Sequence, residues 1–594
     1  MAPPVSARPS ARRWPWRLFV TCALGYAAAT ILLTWPLFRH PGHTVLEAES
    51  LYGGAHILIQ RDINLTMWVL SWDTHALTTN PTQLYHGNIF HPAPFALARS
   101  EHMLGNVPLF GPIFLATGNP VLAHQLTLLA TFVLAGLAMA AYVAYWTDDR
   151  VAAVVAGVLY AFAPFRLWQL GNLHVISIHA LPAVLLAIDV LLDRRRTLVG
   201  MPLLGLGLTI SGLCSHYVGY QAFFAGGVYA LGGLVSRGRQ ALPAVPTLLV
   251  PTVLAATAIG LLALPYLWLQ HSDALPNYGD SRFTSLAFLS LMTEGVAGTL
   301  AFFVLPKDGG IPLFLTYTAL VLATVGVTTW RRPPRGSLLA LLLTGVVLAL
   351  GPRAASFPSI PLPYEWLQTI VPGFSAMRAP QRFGVLATLA VAPLAGFGLA
   401  RLRQRLATRP GGTLLGWAVA GALLAAFALE VTPPGLSVRK QVVGRFVPSV
   451  DRHLSEYGDG GAVLYLPLRA HQLFRESAIV YRSIFHWLPV VNGYSSYPPA
   501  TYRTIAEATA RLPAPDALRD VLRLARPRWV VLLPNHLPPG EREQWQTLLD
   551  AELRLVRRFN RALLYEVPTR QSASLRRSRS VPGRARARDP DRSR

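Results

Sequence analysis

Charge is what this chain has least of. Of its 594 residues only 14% are Asp, Glu, Lys or Arg, 52% are hydrophobic, and the mean hydropathy is +0.38. Soluble globular proteins run near a quarter charged, so that class is excluded for the bulk of the sequence. The shortage is concentrated in runs. Residues 18–38, 121–146, 198–235, 241–270, 311–330 and 384–400 contain none of the four charged types. About 20 apolar residues wound as a helix cross the hydrocarbon core. The longest runs therefore hold two helices, or a helix and a connection.

Cysteine is scarce too. Cys22 and Cys214 are the only two, and both lie in apolar runs. That excludes a disulfide framework and a thiolate metal site, and leaves two buried thiols. No GxGxxG, Walker or GxSxG motif occurs in a credible setting, so dinucleotide binding, P-loop chemistry and an α/β-hydrolase elbow are not expected.

What is abundant is arginine, with a formal net charge of +24. Its distribution argues against nucleic acid, which needs a basic stripe on one folded face. The arginines instead cluster between apolar runs: Arg12, Arg13 and Arg17; Arg194 to Arg196; Arg237 and Arg239; Arg331, Arg332 and Arg335; Arg401, Arg403 and Arg405. These read as cytoplasmic loops of a polytopic protein. The first apolar run is too long for a signal-peptide core and lacks a small-residue cleavage site, so it reads as a retained helix.

Placing every arginine cluster on one side gives about eleven spans, with the N-terminus (1–17) cytoplasmic. The expected helices are 18–38, 121–146, 151–165, 174–192, 198–214, 217–235, 243–270, 311–330, 337–350, 384–401 and 413–430. Residues 39–120 form a large external loop. The stretch 285–305 is apolar but holds Glu294, and it reads as re-entrant or surface-lying. The fold class is thus a polytopic α-helical membrane protein: a transmembrane module over 18–430, then a small extracytoplasmic α/β domain over 431–567. Strand-like VLYLPL (463–468), RWVVLLP (528–534) and ALLYEV (562–567) mark that domain, with REQWQTLLDAELRLVRRF as an amphipathic helix. The Arg/Ser-rich tail 568–594 reads as disordered.

The external loop opens with QRDINLTMWVLSWDTHALTTNP (60–81). As a helix it aligns Ile63, Met67, Leu70 and Leu77 along one side, flanked by Trp68 and Trp72. That suits a helix lying at the membrane interface. Asp62 and Asp73 are three turns apart, about 16 Å, so they cannot act as a close carboxylate pair. The loop continues through His86, Asn88, His91, Ser100, Glu101 and His102, polar groups that can wall a cavity. His86, His91 and Glu101 are the candidates for a divalent metal, but their spacing matches no metal template. His174, His179, His216 and Tyr217 fall at or near expected helix ends, where ionisable groups are functional candidates. An alternative for Asn492, Tyr494 and Tyr497 is a sugar-binding surface; loop packing is the plainer reading.

A first helix, a large external loop with an acid near its start, and juxtamembrane helices together resemble the GT-C superfamily of glycosyltransferases. Within it the pieces RDINLTMWVLSWDTHAL, NIFHPAP, SEHMLG, LYAFAPFRLWQLGNLH, PGFSAMRAPQRF and HWLPVVNGYSSYPPATYR resemble a group of bacterial GT-C-like membrane proteins. The resemblance covers about residues 18 to 567. It implies a bacterial inner-membrane enzyme that takes a sugar from a polyprenyl-phosphate donor and moves it, with inversion, to a glycan, lipid or protein acceptor outside. It implies Asp62 as the base that deprotonates the acceptor, since that is the family position. Many relatives carry two adjacent acids there and this chain has one, so Glu101 is the second candidate. A phosphate leaving group needs cations. Arg378 and Arg382, four apart in MRAPQRF, and Arg166 in APFRLWQ sit at expected external helix ends. His102, His91 and His174 complete the candidate set. Two other classes fit a membrane chain: a flippase of lipid-linked glycans, whose inverted repeat is not visible here, and a non-catalytic scaffold.

Overall fold

The computed structural model describes residues 16–46, 57–194, 196–272, 300–301, 303–305, 313–354, 357–377, 379–432 and 436–568. The tail beyond 568, the re-entrant stretch up to 299 and Arg378 lie outside these residues. The chain divides into two compact units. The first holds residues up to Gly87, Phe95–Phe446 and Ser495–Tyr497; the second holds Asn88–Pro94, Val447–Tyr494 and the chain from Pro498 onward.

The first unit is helical. Each stretch read as a span contains an α-helix: Trp16–Leu33, Pro120–Thr147, Arg150–Ala161, Leu181–Leu192, Thr197–Cys214, His216–Arg237, Val245–Leu262, Tyr317–Thr329, Arg335–Ala349, Val385–Ala407 and Gly412–Val431. Among the described residues, seven segments are long and apolar enough to cross a bilayer, and one of them, His216–Leu262, runs for 47 residues across two of these helices. The chain is a multi-pass membrane protein.

Local chemistry sets the turns. Thr147-Asp148-Asp149 joins two helices with no loop to spare. Asp148 takes a left-handed backbone (φ 54°) and its N–H closes the first helix on the Ala144 carbonyl. Asp149 then accepts the Val151 and Ala152 N–H groups at 3.0 and 3.1 Å, capping the next helix. Its other oxygen takes Arg403 Nε at 2.9 Å.

The Val385–Ala407 helix is the axis of the bundle. Every residue from Val385 to Ala400 is buried, against the helices Pro120–Thr147, Arg150–Ala161, Tyr317–Thr329, Arg335–Ala349 and Gly412–Val431. Outward-facing leucines such as Leu198, Leu254, Leu414 and Leu429 are exposed; they are the surface that lipid covers. At one end three helices are tied through Asp189. Its carboxylate accepts Trp146 Nε1 at 2.9 Å, the Tyr229 hydroxyl at 2.5 Å and Arg237 Nη2 at 3.1 Å. Arg237 also bonds Asp193 at 3.2 Å. The buried acid is therefore paired and bonded, as a charge inside a membrane bundle must be.

A helix forms over Ile57–Thr79, but the expectation of a one-sided helix lying at the interface is corrected: Asn64, Thr66, Ser71, Asp73 and Thr74 are buried together with Ile63, Met67, Trp68 and Leu70, while Leu77 is exposed. Beside its start, β1 (Thr44–Leu46) pairs antiparallel with β2 (Val438–Lys440).

The second unit carries a sheet ordered β3 (Val463–Leu466), β4 (Trp529–Leu532), β6 (Ala562–Glu566), β5 (Arg554–Phe559), with β3 and β4 parallel and the rest antiparallel. One expectation is corrected. The amphipathic helix stops at Glu552, and RLVRRF becomes the edge strand β5. Its alternation with β-branched Val556 suits a strand, the Asn560-Arg561 turn folds it back onto β6, and exposed arginines are what an unpaired edge tolerates. The segment Asn88–Pro94 completes this unit: the Phe90 and His91 N–H groups bond the carbonyls of Asn492 and Val490 at 3.1 and 2.9 Å.

Candidate functional site

The site lies in the first unit, where the segment after Arg99 meets the start of the His216–Arg237 helix. Ser215 adopts extended backbone and caps that helix, its Oγ accepting the Tyr217 N–H at 3.2 Å. The same hydroxyl donates to Glu101 Oε2 at 2.7 Å. The other carboxylate oxygen is 3.7 Å from His216 Nδ1. Glu101 thus sits at the positive end of a helix 22 residues long. Its side chain keeps 23% of its surface exposed, so an incoming group can reach it.

Electrostatics keep this carboxylate ionised. Burial pushes it up, but His174, His216, the Ser215 hydroxyl and Arg382 together bring it below its ordinary value. His102 behaves oppositely. Burial, then its neighbour His216, push the imidazole down to about 3, so it is neutral. Its ring meets those of His216 and Tyr266 edge-on at 5.3 and 6.0 Å, and its backbone N–H donates to the Tyr266 hydroxyl at 3.0 Å.

Arg382 is a cation within electrostatic reach of Glu101 and His174. Two residues of the capped helix set it there. Its guanidinium lies over the Tyr217 ring, 4.5 Å from the centroid. Ala379 N–H bonds the Tyr217 hydroxyl at 3.0 Å, and Gln221, one turn on, donates to the Arg382 carbonyl at 2.9 Å.

A second acid underpins the segment. Asp73 is fully buried, and its Oδ2 accepts the Met103 N–H at 3.0 Å, two residues past Glu101. Burial drives this carboxyl up to about 7, against the Met103 hydrogen bond. Sequence reasoning kept Asp73 only as a helix-face residue; its burial depends on a segment 30 residues away. Ser215 was missed as well, because a serine ahead of an apolar run signals a cap and not a carboxylate partner.

The remaining candidates are spread out. Asp62 is partly buried in the first turns of its helix, three turns from Asp73; nearby Asn64 accepts Gln441 Nε2 at 2.8 Å. Arg166 is fully buried, with Nε on the Ile176 carbonyl (3.1 Å), Nη1 on that of Ala161 (3.0 Å) and Nη2 on Thr131 Oγ1 (3.2 Å). These bonds make it a tie between helix ends. His86 stacks on Phe95 at 4.5 Å. His91 belongs to the second unit. Among the described residues no group of three or more His, Cys, Asp or Glu side chains is arranged to hold a metal ion.

No protein-family model matches the sequence, and no curated protein does. Solved structures do. The arabinofuranosyltransferase AftD from mycobacteria aligns at 16% identity with a TM-score of 0.59, covering 94% of this chain and 42% of that one. The chain therefore spans less than half of AftD's length. The Archaeoglobus fulgidus oligosaccharyltransferase complexed with zinc and sulfate aligns at 13% identity and TM-score 0.44, covering 93% of this chain and 74% of that one. ArnT from Cupriavidus metallidurans in the apo state aligns at 12% and 0.45, covering 93% and 97%. The likeness to AftD is one of fold: the chain shares the fold of the part of AftD with which it aligns.

Proposed function

We propose that this protein is an integral-membrane glycosyltransferase of the bacterial plasma membrane. It moves a sugar from a polyprenyl-phosphate donor to an acceptor hydroxyl on the extracytoplasmic side, in one displacement that inverts the anomeric carbon. The observation that carries this reading is Glu101 held by Ser215 at the start of the His216–Arg237 helix, with Arg382 within electrostatic reach. Glu101 takes the acceptor's proton as its oxygen attacks the anomeric carbon. The bond to the phosphate breaks, and Arg382 stabilises the charge that develops on the leaving phosphate. Neutral His102 and Tyr266 wall the site without competing for that proton.

Orientation has independent support. The site is at one end of the His216–Arg237 helix and the Asp189–Arg237–Asp193 tie is at the other. Twenty-one rises of 1.5 Å separate them by about 32 Å, a hydrocarbon thickness. The arginine-rich loops belong with the second end, so Glu101 faces outside.

The test is sugar transfer by membranes from cells expressing single variants in place of the wild type, with surface glycans profiled in parallel. Glu101→Gln is expected to lose activity by about 10²- to 10⁴-fold, the worth of a general base. Arg382→Lys is expected to lose more than a change of side-chain length explains, because a point charge does not replace a planar fork on phosphate. Asp62→Asn is measured beside them and decides which acid is the base. Unaltered glycans in all three variants would overturn the enzymatic reading.

A further inference from the structure

Beside Arg382 the bundle buries more hydrogen-bonding capacity than it uses. Gln221 and Gln381 are both fully buried. Gln221 Nε2 bonds the Arg382 carbonyl at 2.9 Å. A carbonyl only accepts, so this contact fixes which way the amide points and leaves Gln221 Oε1 without a partner. Gln381, next to Arg382 in the chain, has neither its oxygen nor its nitrogen bonded, and Arg382 Nε is unbonded as well. Unmade hydrogen bonds at buried amides are costly, and polar side chains at membrane depth mark function.

The kind of unmade bond identifies the ligand. Arg382 Nε and Gln381 Nε2 are donors; Gln221 Oε1 and Gln381 Oε1 are acceptors. A phosphate diester offers acceptors alone. It can satisfy Arg382 Nε and leaves both amide oxygens orphaned. A hydroxyl group donates and accepts, so it satisfies an amide on either side. Both sets are met by one molecule that carries an anionic phosphate and a hydroxyl-bearing ring. We propose that Gln221 and Gln381 are the sugar-recognising part of this site, binding ring hydroxyls of the sugar esterified to the donor phosphate, while Arg382 holds the phosphate. This rests on the donor reading above and adds to it which residues read the sugar.

The test uses the purified full-length protein in detergent and measures dissociation constants for farnesol, farnesyl phosphate, and farnesyl phosphates esterified with a pentose or a hexose. Wild-type protein is expected to bind farnesyl phosphate more tightly than farnesol, and one of the glycosylated lipids at least about tenfold more tightly again, the worth of one or two such hydrogen bonds. Gln381→Leu breaks no bond within the protein. It is expected to remove that tenfold advantage and leave farnesyl phosphate binding within about twofold. Gln221→Leu should remove the same advantage, and weaker farnesyl phosphate binding there reports the freed Arg382 carbonyl. If both variants keep the advantage, or the wild type shows none, the amide assignment is overturned and the unmade bonds belong to buried water. If the wild type does not distinguish farnesyl phosphate from farnesol, the donor reading fails, and the sugar assignment with it.

Discussion

Ser215 Oγ donates to Glu101 Oε2 at 2.7 Å while accepting the Tyr217 N–H at 3.2 Å, so one hydroxyl both caps a helix and holds a carboxylate 114 positions away. The two jobs can be separated. Ser→Ala at a cap costs about 1 kcal/mol and Ser→Gly only a few tenths. Both remove the bond to Glu101. Ser215→Ala should therefore lower the thermal midpoint and Ser215→Gly should barely move it. In both, the Glu101 value should rise, because a bond to its ionised form is gone. Activity that needs the ionised carboxylate would then fade at a higher pH as the medium is acidified. A pH–rate profile shared by wild type and both variants would show that Glu101 is not the titrating base.

Asp73 sets a pH dependence of stability with a definite sign. Its folded value is raised to about 7 from an ordinary 3.8. Between those values the folded chain keeps a proton that the unfolded chain has released. Its contribution is thus present below about pH 4 and is lost as pH rises towards 7. Three units at 1.36 kcal/mol each put the loss on the order of 4 kcal/mol. Asp73→Asn keeps an oxygen for the Met103 N–H and has nothing to ionise. The variant should be more stable than the wild type at pH 8, with the difference shrinking towards pH 5 in detergent melts. A difference independent of pH would show that Asp73 does not titrate in this range.

The bundle was legible in the sequence because lipid imposes a simple code. Uncharged runs, arginine clusters and short turns such as Thr147-Asp148-Asp149 locate the helices, although several begin or end five to eight residues inside the expected runs. The site was legible only in part. Glu101, His102, His174 and Arg382 carry chemistry on their faces. Their convergence depends on which helix ends meet, and no local pattern encodes that. Asp73 reads as an amphipathic-helix acid until Met103 is seen beside it. RLVRRF misled because a run of charge and apolar residues after a helix continues its period on paper, while pairing with ALLYE decides the backbone in three dimensions. Gln221 and Gln381 gave no signal, since an amide in an apolar run becomes conspicuous only when its partners can be counted.

In the second unit Arg482 grips Asp451 with two bonds, Nε at 2.6 Å and Nη2 at 2.7 Å, and the Tyr465 hydroxyl adds a third at 2.8 Å. Asp451 is fully buried. Arg482→Leu leaves that charge unpaired and should cost about 3–5 kcal/mol. Replacing both partners with apolar residues should recover most of the loss. The check is thermal unfolding followed by far-UV circular dichroism for the single and double variants. A double variant no better than the single would mean the loss comes from packing and not from the stranded carboxylate.

The tightest crossing in the bundle tests the membrane fold itself. Gly326 in Tyr317–Thr329 and Gly398 in Val385–Ala407 face each other. A Cβ added at Gly326 would strike the Leu394 carbonyl oxygen, and one at Gly398 would strike that of Leu322. Lipid tails are as apolar as leucine, so helices in a bilayer gain by close backbone packing, which small residues allow. A methyl group here meets rigid main chain of the facing helix. Gly326→Ala and Gly398→Ala should each destabilise by roughly 1–3 kcal/mol. Gly421, in Gly412–Val431, has nothing within 4 Å of its would-be Cβ. There the same substitution only removes backbone freedom and should be neutral or stabilising by up to about 1 kcal/mol. Detergent melts of the three variants separate the cases: if Gly326→Ala and Gly398→Ala melt no lower than Gly421→Ala, the two helices do not cross at these glycines.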